Sequence, residues 1–242
     1  MNKDALQESQ YGFPYHYIPE FAPDGTPTRM RALGWGLEYL CYTRHVAEVV
    51  NALQPQAVLD VGCGDGFFLG HVAAGRRVGV DRSAAALTFA RAFRPKIEFL
   101  QSDAAQLHET FDVVTAIEVL EHIPDAAVPD FVATLRARTR PGGHMVLSVP
   151  SSAIPVQAKH YRHYDRVLLQ SHVVRDDVEL VSLTGIVDSR DPVYRAFARL
   201  TMNRWWMFET APLNRFVWRR MWRRRINPQA PSRIVGVFRR KA

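Results

Sequence analysis

The chain has 242 residues, of which 47% are hydrophobic and 23% charged, and its net charge is +7. This length and balance describe a folded domain with its own core and exclude a disordered or collagen-like chain; no apolar run approaches the roughly 18 residues that a membrane-spanning helix needs. Two cysteines, Cys41 and Cys63, cannot build a disulfide framework, and no Cys/His spacing suits zinc.

The opening MNKDALQESQ holds one lysine and no apolar run, so no secretory signal is expected and the expected location is cytoplasmic. Residues 1–30 are rich in Tyr, Phe and Pro and predict an irregular arm. Apolar residues near helical spacing predict a helix over 34–53, ended by Pro55. Short apolar runs then alternate with helical stretches. AVLDV (57–61) reads as a strand, followed by a glycine-rich turn and a helix from about Asp65. RVGVD (77–81) is a second strand, with Ser83 as N-cap of a helix to Phe93. IEFLQ (97–101) and FDVVTAI (111–117) follow as strands, then a helix opened by Pro124 or Pro129 and running to about Arg140. Pro141, Gly142 and Gly143 break it before the strand HMVLSV (144–149). VELVSLTGIV (178–187) and RIVGVFRR (233–240) predict two last strands. The rhythm predicts one α/β domain: a Rossmann-like, mostly parallel sheet with helices on both faces. Its parts are an arm and helix (1–54), a core (55–187), an insertion (188–232) and a last strand (233–242).

VLDVGCGDG (58–66) sets Gly62, Gly64 and Gly66 between a strand and a helix. Glycines there let the backbone turn sharply and approach a ligand. The spacing is G-x-G-x-G, neither a triphosphate loop nor the dinucleotide G-x-G-x-x-G. Asp60 before the turn suits a positively charged ligand better than a pyrophosphate. Asp81 ends the next strand, 21 residues on, where a carboxylate can hold both ribose hydroxyls. Asp103 follows the third strand. All three acids fall near the carboxyl ends of successive strands, where open α/β sheets bind ligands.

This ordered set, with FDVVTAIEVLEHIPD and RPGGHMVLSVP after it, resembles the class I S-adenosylmethionine-dependent methyltransferases from about Val58 to Pro150. The resemblance implies a seven-stranded sheet with an antiparallel last strand. It also implies Asp60, Gly62 and Gly64 near the methionine part of the cofactor, Asp81 at the ribose, and Asp103 with Ala104 at the adenine. Arg82 and Glu118 complete the candidate cofactor residues. It further implies an acceptor pocket built in part from the arm, so Tyr11, Phe13, Tyr15, His16, Tyr17 and Trp35 are candidates to line it, though each can equally pack on the sheet.

Glu118, Glu121 and His122 form E-x-x-E-H after the fourth strand. On one helical turn such positions share a face, and two carboxylates with an imidazole can bind a divalent cation. KHYRHYD (159–165) offers His160 and His163 as a further ligand. The run is similar to that of the ubiquinone-biosynthesis O-methyltransferases. It also resembles, more thinly, the small-RNA 3′-terminal 2′-O-methyltransferases, where two Glu, one His and a later His hold a metal. That analogy prefers His163 over His160 and implies a Glu118, Glu121, His122 and His163 site for Mg²⁺ or Mn²⁺. The alternative is that Glu118 borders the cofactor and His122 caps a helix or acts as a base without metal.

A hydroxyl acceptor needs a general base or a metal, because its free pKa lies far above neutral. His122, His160 and His163 are the candidate catalytic residues. They point to methyl transfer onto oxygen of a small molecule, glycan or lipid-linked acceptor. The alternatives are an RNA ribose methyltransferase and a non-catalytic module that binds S-adenosylmethionine.

From Arg204 onward the chain carries eleven basic residues and one acid, with four of the five tryptophans. On a helical wheel of this segment, Leu213, Val217, Trp218 and Met221 share one broad side and Arg215, Arg219 and Arg223 the other, while Arg224 and Arg225 interrupt the apolar side and leave the amphipathicity moderate. Three partners compete for the 204–225 segment. A membrane surface or lipid-linked substrate ranks first, which would make the protein peripheral at the inner face of the membrane. An acidic soluble substrate ranks second and RNA third.

Overall fold

The computed structural model describes residues 3, 25, 34–188, 190–201, 210–227 and 229–242. Seven strands form one sheet in the order β3-β2-β1-β4-β5-β7-β6. They are β1 (Ala57–Val61), β2 (Arg76–Asp81), β3 (Glu98–Gln101), β4 (Phe111–Ile117), β5 (Thr139–Pro150), β6 (Val178–Asp188) and β7 (Pro231–Arg240). The first five pair in parallel, and β7 runs antiparallel between β5 and β6. The expected α/β class, mostly parallel sheet and antiparallel last strand are what the chain adopts.

Helices cover both faces. α1 (Gly34–Ala52), α2 (Phe67–Gly70) and α3 (Ala84–Phe93) enclose one core with Val58, Val113 and Val146. α4 (Val128–Arg138) and α5 (Arg166–Val173) enclose the other with Leu59, Val114 and Leu147. Consecutive residues of β1, β4 and β5 thus feed opposite cores. Strands buried on both faces read as unbroken apolar runs rather than as alternation, which is why they stand out in the sequence.

Local chemistry sets the ends of these elements. The Ser83 hydroxyl accepts from the Ala86 N–H at 3.1 Å and caps α3. Pro129 sits in the first turn of α4, where its missing N–H costs nothing. Two expectations need correction. The helix expected from about Asp65 starts at Phe67 and is a single turn. Pro141–Gly142–Gly143 lies inside β5: the pairing jumps from Phe111↔Thr139 to Val113↔His144, so four residues bulge against one.

The insertion folds as α6 (Pro192–Thr201) and α7 (Ala211–Arg223). Val217, Trp218 and Met221 are buried against Leu37, Leu40 and Phe197, while Arg215, Arg219 and Arg223 are exposed, as the wheel requires. Asp191 ties the two helices. It accepts from the Val193 and Tyr194 N–H groups at the start of α6, and Arg220 of α7 donates to both its oxygens. Trp222 stacks on Trp218 and lies between the guanidiniums of Arg44 and Arg225. Trp205 and Trp206 lie outside the described residues. No helix among the described residues is long and apolar enough to cross a membrane.

Candidate active site

Gly62, Gly64 and Gly66 all take left-handed φ, at 74°, 55° and 71°. A Cβ on Gly62 would stand 2.6 Å from a Val119 methyl, and one on Gly66 would stand 2.5 Å from the Phe99 ring. The turn therefore needs glycine for both conformation and space. Asp81 holds it. One carboxylate oxygen accepts from the Gly64 N–H and the other from the Ser83 N–H, each at 2.8 Å. Asp103 pairs with Arg82 at 2.6 Å and accepts from the Ala105 N–H, and Ala104 beside it is buried. The chain thus brings Gly62, Asp81, Arg82, Asp103, Ala104 and Glu118 to one pocket of about 600 Å³.

Asp60 lies below the turn. The register of β1 and β4 sets it beside Thr115, whose hydroxyl donates to it at 2.6 Å. Burial pushes its carboxyl up to about 7, against the hydrogen bond from Thr115 and with help from Asp81. It lines a second pocket, of about 570 Å³, with Glu38, Tyr39, Tyr42, Glu121, Lys159 and His160 among its walls. Gly62, Glu118 and His122 line both pockets, so the two are halves of one cleft.

Glu118 ends β4 at a φ of 57°, a left-handed conformation that costs a non-glycine residue on the order of 1 kcal/mol. Three contacts hold it there. Its N–H donates to the Ser148 carbonyl at 2.9 Å, the Ser148 hydroxyl donates back to its carboxylate at 2.6 Å, and Arg233 pairs with it at 2.5 Å. Arg233 also pairs with Glu38 of α1 at 3.0 Å. The E-x-x-E-H run is therefore not one helical turn. Glu118 turns to Arg233, and a separate 3-10 turn, Leu120–His122, carries the other two residues.

KHYRHYD is pinned onto that turn. The Tyr161 N–H donates to the Glu121 carbonyl at 2.8 Å, and the Arg162 guanidinium donates to the carbonyls of Leu120 and Ile123. This sets His160 beside Glu121 and His122, with the ligating atoms of all three within 4.8 Å of one another. Among the described residues Glu118 and His163 are not in that group; His163 instead contacts His160 at 2.8 Å. The position expected for His163 is thus held by His160, because the loop turns between the two rings.

Glu121 is fully buried, and neither carboxylate oxygen has a hydrogen-bond partner among the described residues. Burial, then Glu118, push its carboxyl well above the usual range. His122 Nδ1 faces the Lys159 carbonyl at 3.3 Å, so it carries the proton and Nε2 is the basic nitrogen of the neutral ring. That Nε2 lies 3.9 Å from a Glu121 oxygen. Burial, then His122 and Lys159, push His160 down to about 3, which keeps it neutral near neutral pH. A buried carboxyl and two imidazoles converge here, a donor set for a cation, whose charge would favour the ionised carboxylate.

The sequence reading missed Arg233, Glu38, Lys159 and Ser148. Its one available signal was an arginine opening an otherwise apolar strand. Tyr11, Phe13, Tyr15, His16 and Tyr17 lie outside the described residues, as does the side chain of Trp35. Among the described residues α1 supplies Tyr39, Tyr42 and Thr43 to the cleft.

An open seven-stranded sheet with a glycine turn after β1 and carboxylates at the ends of β2 and β3 defines the class I methyltransferase fold. A family model described as a methyltransferase domain matches residues 37–224, and the chain belongs to that family, in its S-adenosylmethionine-dependent class. The ubiquinone biosynthesis O-methyltransferase of Aliivibrio fischeri (strain MJ11) is 38% identical over 114 residues, covering 43% of this chain and 48% of that protein. The chain thus spans about half the length of the curated relatives it matches. Magnesium protoporphyrin IX methyltransferase from Synechocystis PCC 6803 superposes with a TM-score of 0.61 at 13% identity, covering 100% of this chain and 98% of that one. The methyltransferase domain of bacterial CtHen1-C superposes at 0.55 with 19% identity, covering 84% and 100%. At these identities the two structures speak to the fold.

Proposed function

We propose that the protein methylates a hydroxyl of a small-molecule, glycan or lipid-linked acceptor, using S-adenosylmethionine and assisted by a histidine base or a divalent cation. The observation that carries this reading is the meeting of Glu121, His122 and His160 on the cleft lined by the glycine turn. S-adenosylmethionine, when bound, supplies a methyl group already activated on a sulfonium. The chain's task is to bind, to orient and to make the acceptor oxygen nucleophilic.

The residues present fit that cofactor. Each Asp81 oxygen accepts one backbone N–H, and a carboxylate at that strand end is the kind of group that holds ribose hydroxyls. Asp60 sits beside the turn, where a bound cationic group would favour its ionised form. The Glu121, His122 and His160 set also fits a divalent cation, since both oxygens of a buried carboxylate are left without donors. Two imidazoles and one carboxylate suit Mn²⁺ better than Mg²⁺, which prefers an all-oxygen set. Such a cation would lower the pKa of the acceptor hydroxyl. Without it, His122 Nε2 is the nitrogen proposed to take the hydroxyl proton, since His160, held down at about 3, is a weak base.

The exposed arginines of α7 support a peripheral contact with anionic lipid. Arg215, Arg219 and Arg223 surround Phe216, which is 58% exposed. The described tryptophans add nothing to that contact, because Trp218 is buried and Trp222 is half-buried in the stack.

The deciding experiment is calorimetric titration with S-adenosylhomocysteine, with and without Mn²⁺, on wild type and Glu121→Gln. Micromolar binding that Mn²⁺ alters only in wild type is expected. Absence of binding in every condition sinks the cofactor assignment, and full turnover of a phenol or sugar panel in EDTA sinks the cation. Sedimentation with phosphatidylglycerol but not phosphatidylcholine vesicles, lost on neutralising Arg215, Arg219 and Arg223, is expected for the lipid contact. Retention by RNA alone would move the partner to nucleic acid.

A further inference from the structure

We infer that His163 is a positioning residue that sets the tautomer of His160, and so decides which His160 nitrogen offers its lone pair to the cleft. The inference deepens the reading of the Glu121, His122 and His160 cluster and rests on it for its use.

The argument follows the protons outward from a carbonyl. A carbonyl oxygen only accepts, so His163 Nδ1, which faces the Ile154 carbonyl at 3.1 Å, carries a proton. In the neutral ring Nε2 is then an acceptor. It lies 2.8 Å from His160 Nδ1, and a contact that short between two ring nitrogens needs one proton. His160 Nδ1 supplies it. His160 is therefore the Nδ1–H tautomer, and its Nε2 is the basic nitrogen. His122 reaches the same state through the Lys159 carbonyl. Two imidazoles, each fixed from behind by its Nδ1–H, meet the Glu121 carboxyl on the wall of the cleft.

The reverse polarity needs a doubly protonated His163. That would place a full positive charge on a buried ring, which the loss of water opposes. Both rings are buried, and His163 Nε2 is the acceptor that His160 Nδ1 meets. With His163 removed, the Nδ1–H of His160 loses its partner, and the proton moves to Nε2, where it blocks that nitrogen as ligand or base. His163 is thus bonded to the ring that faces Glu121, in the way that a second partner orients a ligating histidine.

The test uses the full chain labelled with ¹⁵N-histidine, free of metal and cofactor, and long-range ¹H–¹⁵N correlation, with His160 assigned from the spectrum of His160→Gln. Wild type should show a protonated Nδ1 and an unprotonated Nε2 at His160. His163→Phe should move the proton to Nε2, and His163→Gln, whose amide oxygen accepts, should restore the wild-type pattern. Mn²⁺ affinity should fall about 10- to 100-fold in His163→Phe and recover in His163→Gln. A wild-type His160 with unprotonated Nδ1 overturns the inference, as does an unchanged His160 pattern in a folded His163→Phe. If His163→Phe does not fold, the wild-type spectrum alone decides. The tautomer is read without any ligand, so loss of S-adenosylhomocysteine or Mn²⁺ binding counts against the proposed function and leaves this assignment standing.

Discussion

Two aspartates near the glycine turn are placed oppositely. Asp60 is buried and held up to about 7, whereas an unfolded aspartate titrates near 3.8. Its protonated form is the one the fold favours. Stability from this group is full below the unfolded value and is lost as pH rises from about 4 to about 7, by a few kcal/mol at most. Asp60→Asn, which keeps an acceptor for Thr115, should therefore melt higher than wild type at alkaline pH, with the gap closing towards pH 4. If the gap stays constant across that range, the buried-acid assignment fails. S-adenosylhomocysteine carries a cationic amino group, so its affinity should rise with pH through this window in wild type and stay flat in the variant. Asp81 is the converse case, a carboxylate already satisfied by two backbone donors. Asp81→Ala strands both donors and removes the proposed ribose acceptor. Affinity should fall by about 1.5–3 kcal/mol, roughly 10- to 100-fold, with Asp81→Asn in between. An unchanged calorimetric Kd would refute the ribose role.

At the scale of elements, the glycine turn and the insertion each hang on one residue. Gly66→Ala imposes a left-handed alanine whose Cβ meets Phe99 at 2.5 Å, and that ring sits in β3 behind the turn. The backbone term alone is about 1–2 kcal/mol. A clear drop in urea midpoint together with weaker S-adenosylhomocysteine binding is expected, because the turn and the cofactor pocket are one structure. Asp191 joins a helix cap to an ion pair with Arg220, in which the acid is buried and the arginine partly exposed. Asp191→Ala should cost about 2–3 kcal/mol, and Asp191→Asn should recover the cap but not the pair. Equal midpoints for Asp191→Ala and wild type would mean that α6 and α7 are held by their apolar faces alone.

Across the whole molecule, the insertion shares a core with α1, and α1 shares one with the sheet. One cooperative transition is therefore expected, with tryptophan fluorescence and far-ultraviolet circular dichroism coincident. Trp218→Ala empties the largest fully buried side chain and should lower that single transition by about 3–5 kcal/mol. Two separated transitions would show the insertion to be an independent unit. The same architecture splits the charge: the insertion's buried side holds it to the domain, and its arginine side is left for a partner.

Much of this was legible in the sequence because it depends on near neighbours along the chain. AVLDV and FDVVTAI announce strands buried on both faces, and Ser83 and Pro129 mark helix starts by their own hydrogen-bonding chemistry. Gly62, Gly64 and Gly66 mark a turn that only glycine can make, and the strand-helix alternation then dictates a mostly parallel sheet. The basic insertion's inward and outward faces follow from a 3.6-residue period. What the sequence could not decide is how distant segments meet. Arg233 reaches Glu118 only because β7 runs antiparallel, which brings its first residues to the edge where the parallel strands end. That guanidinium draws Glu118 out of the E-x-x-E-H group, so a spacing that suggests one helical face becomes two separate roles. His160 rather than His163 faces Glu121 because Arg162 ties the loop to the carbonyls of Leu120 and Ile123. The chain alone determined the fold and the cofactor turn, since propensity, period and glycine geometry act locally. Tertiary structure alone decided which carboxylate and which imidazole meet, since packing between segments far apart in sequence sets those distances.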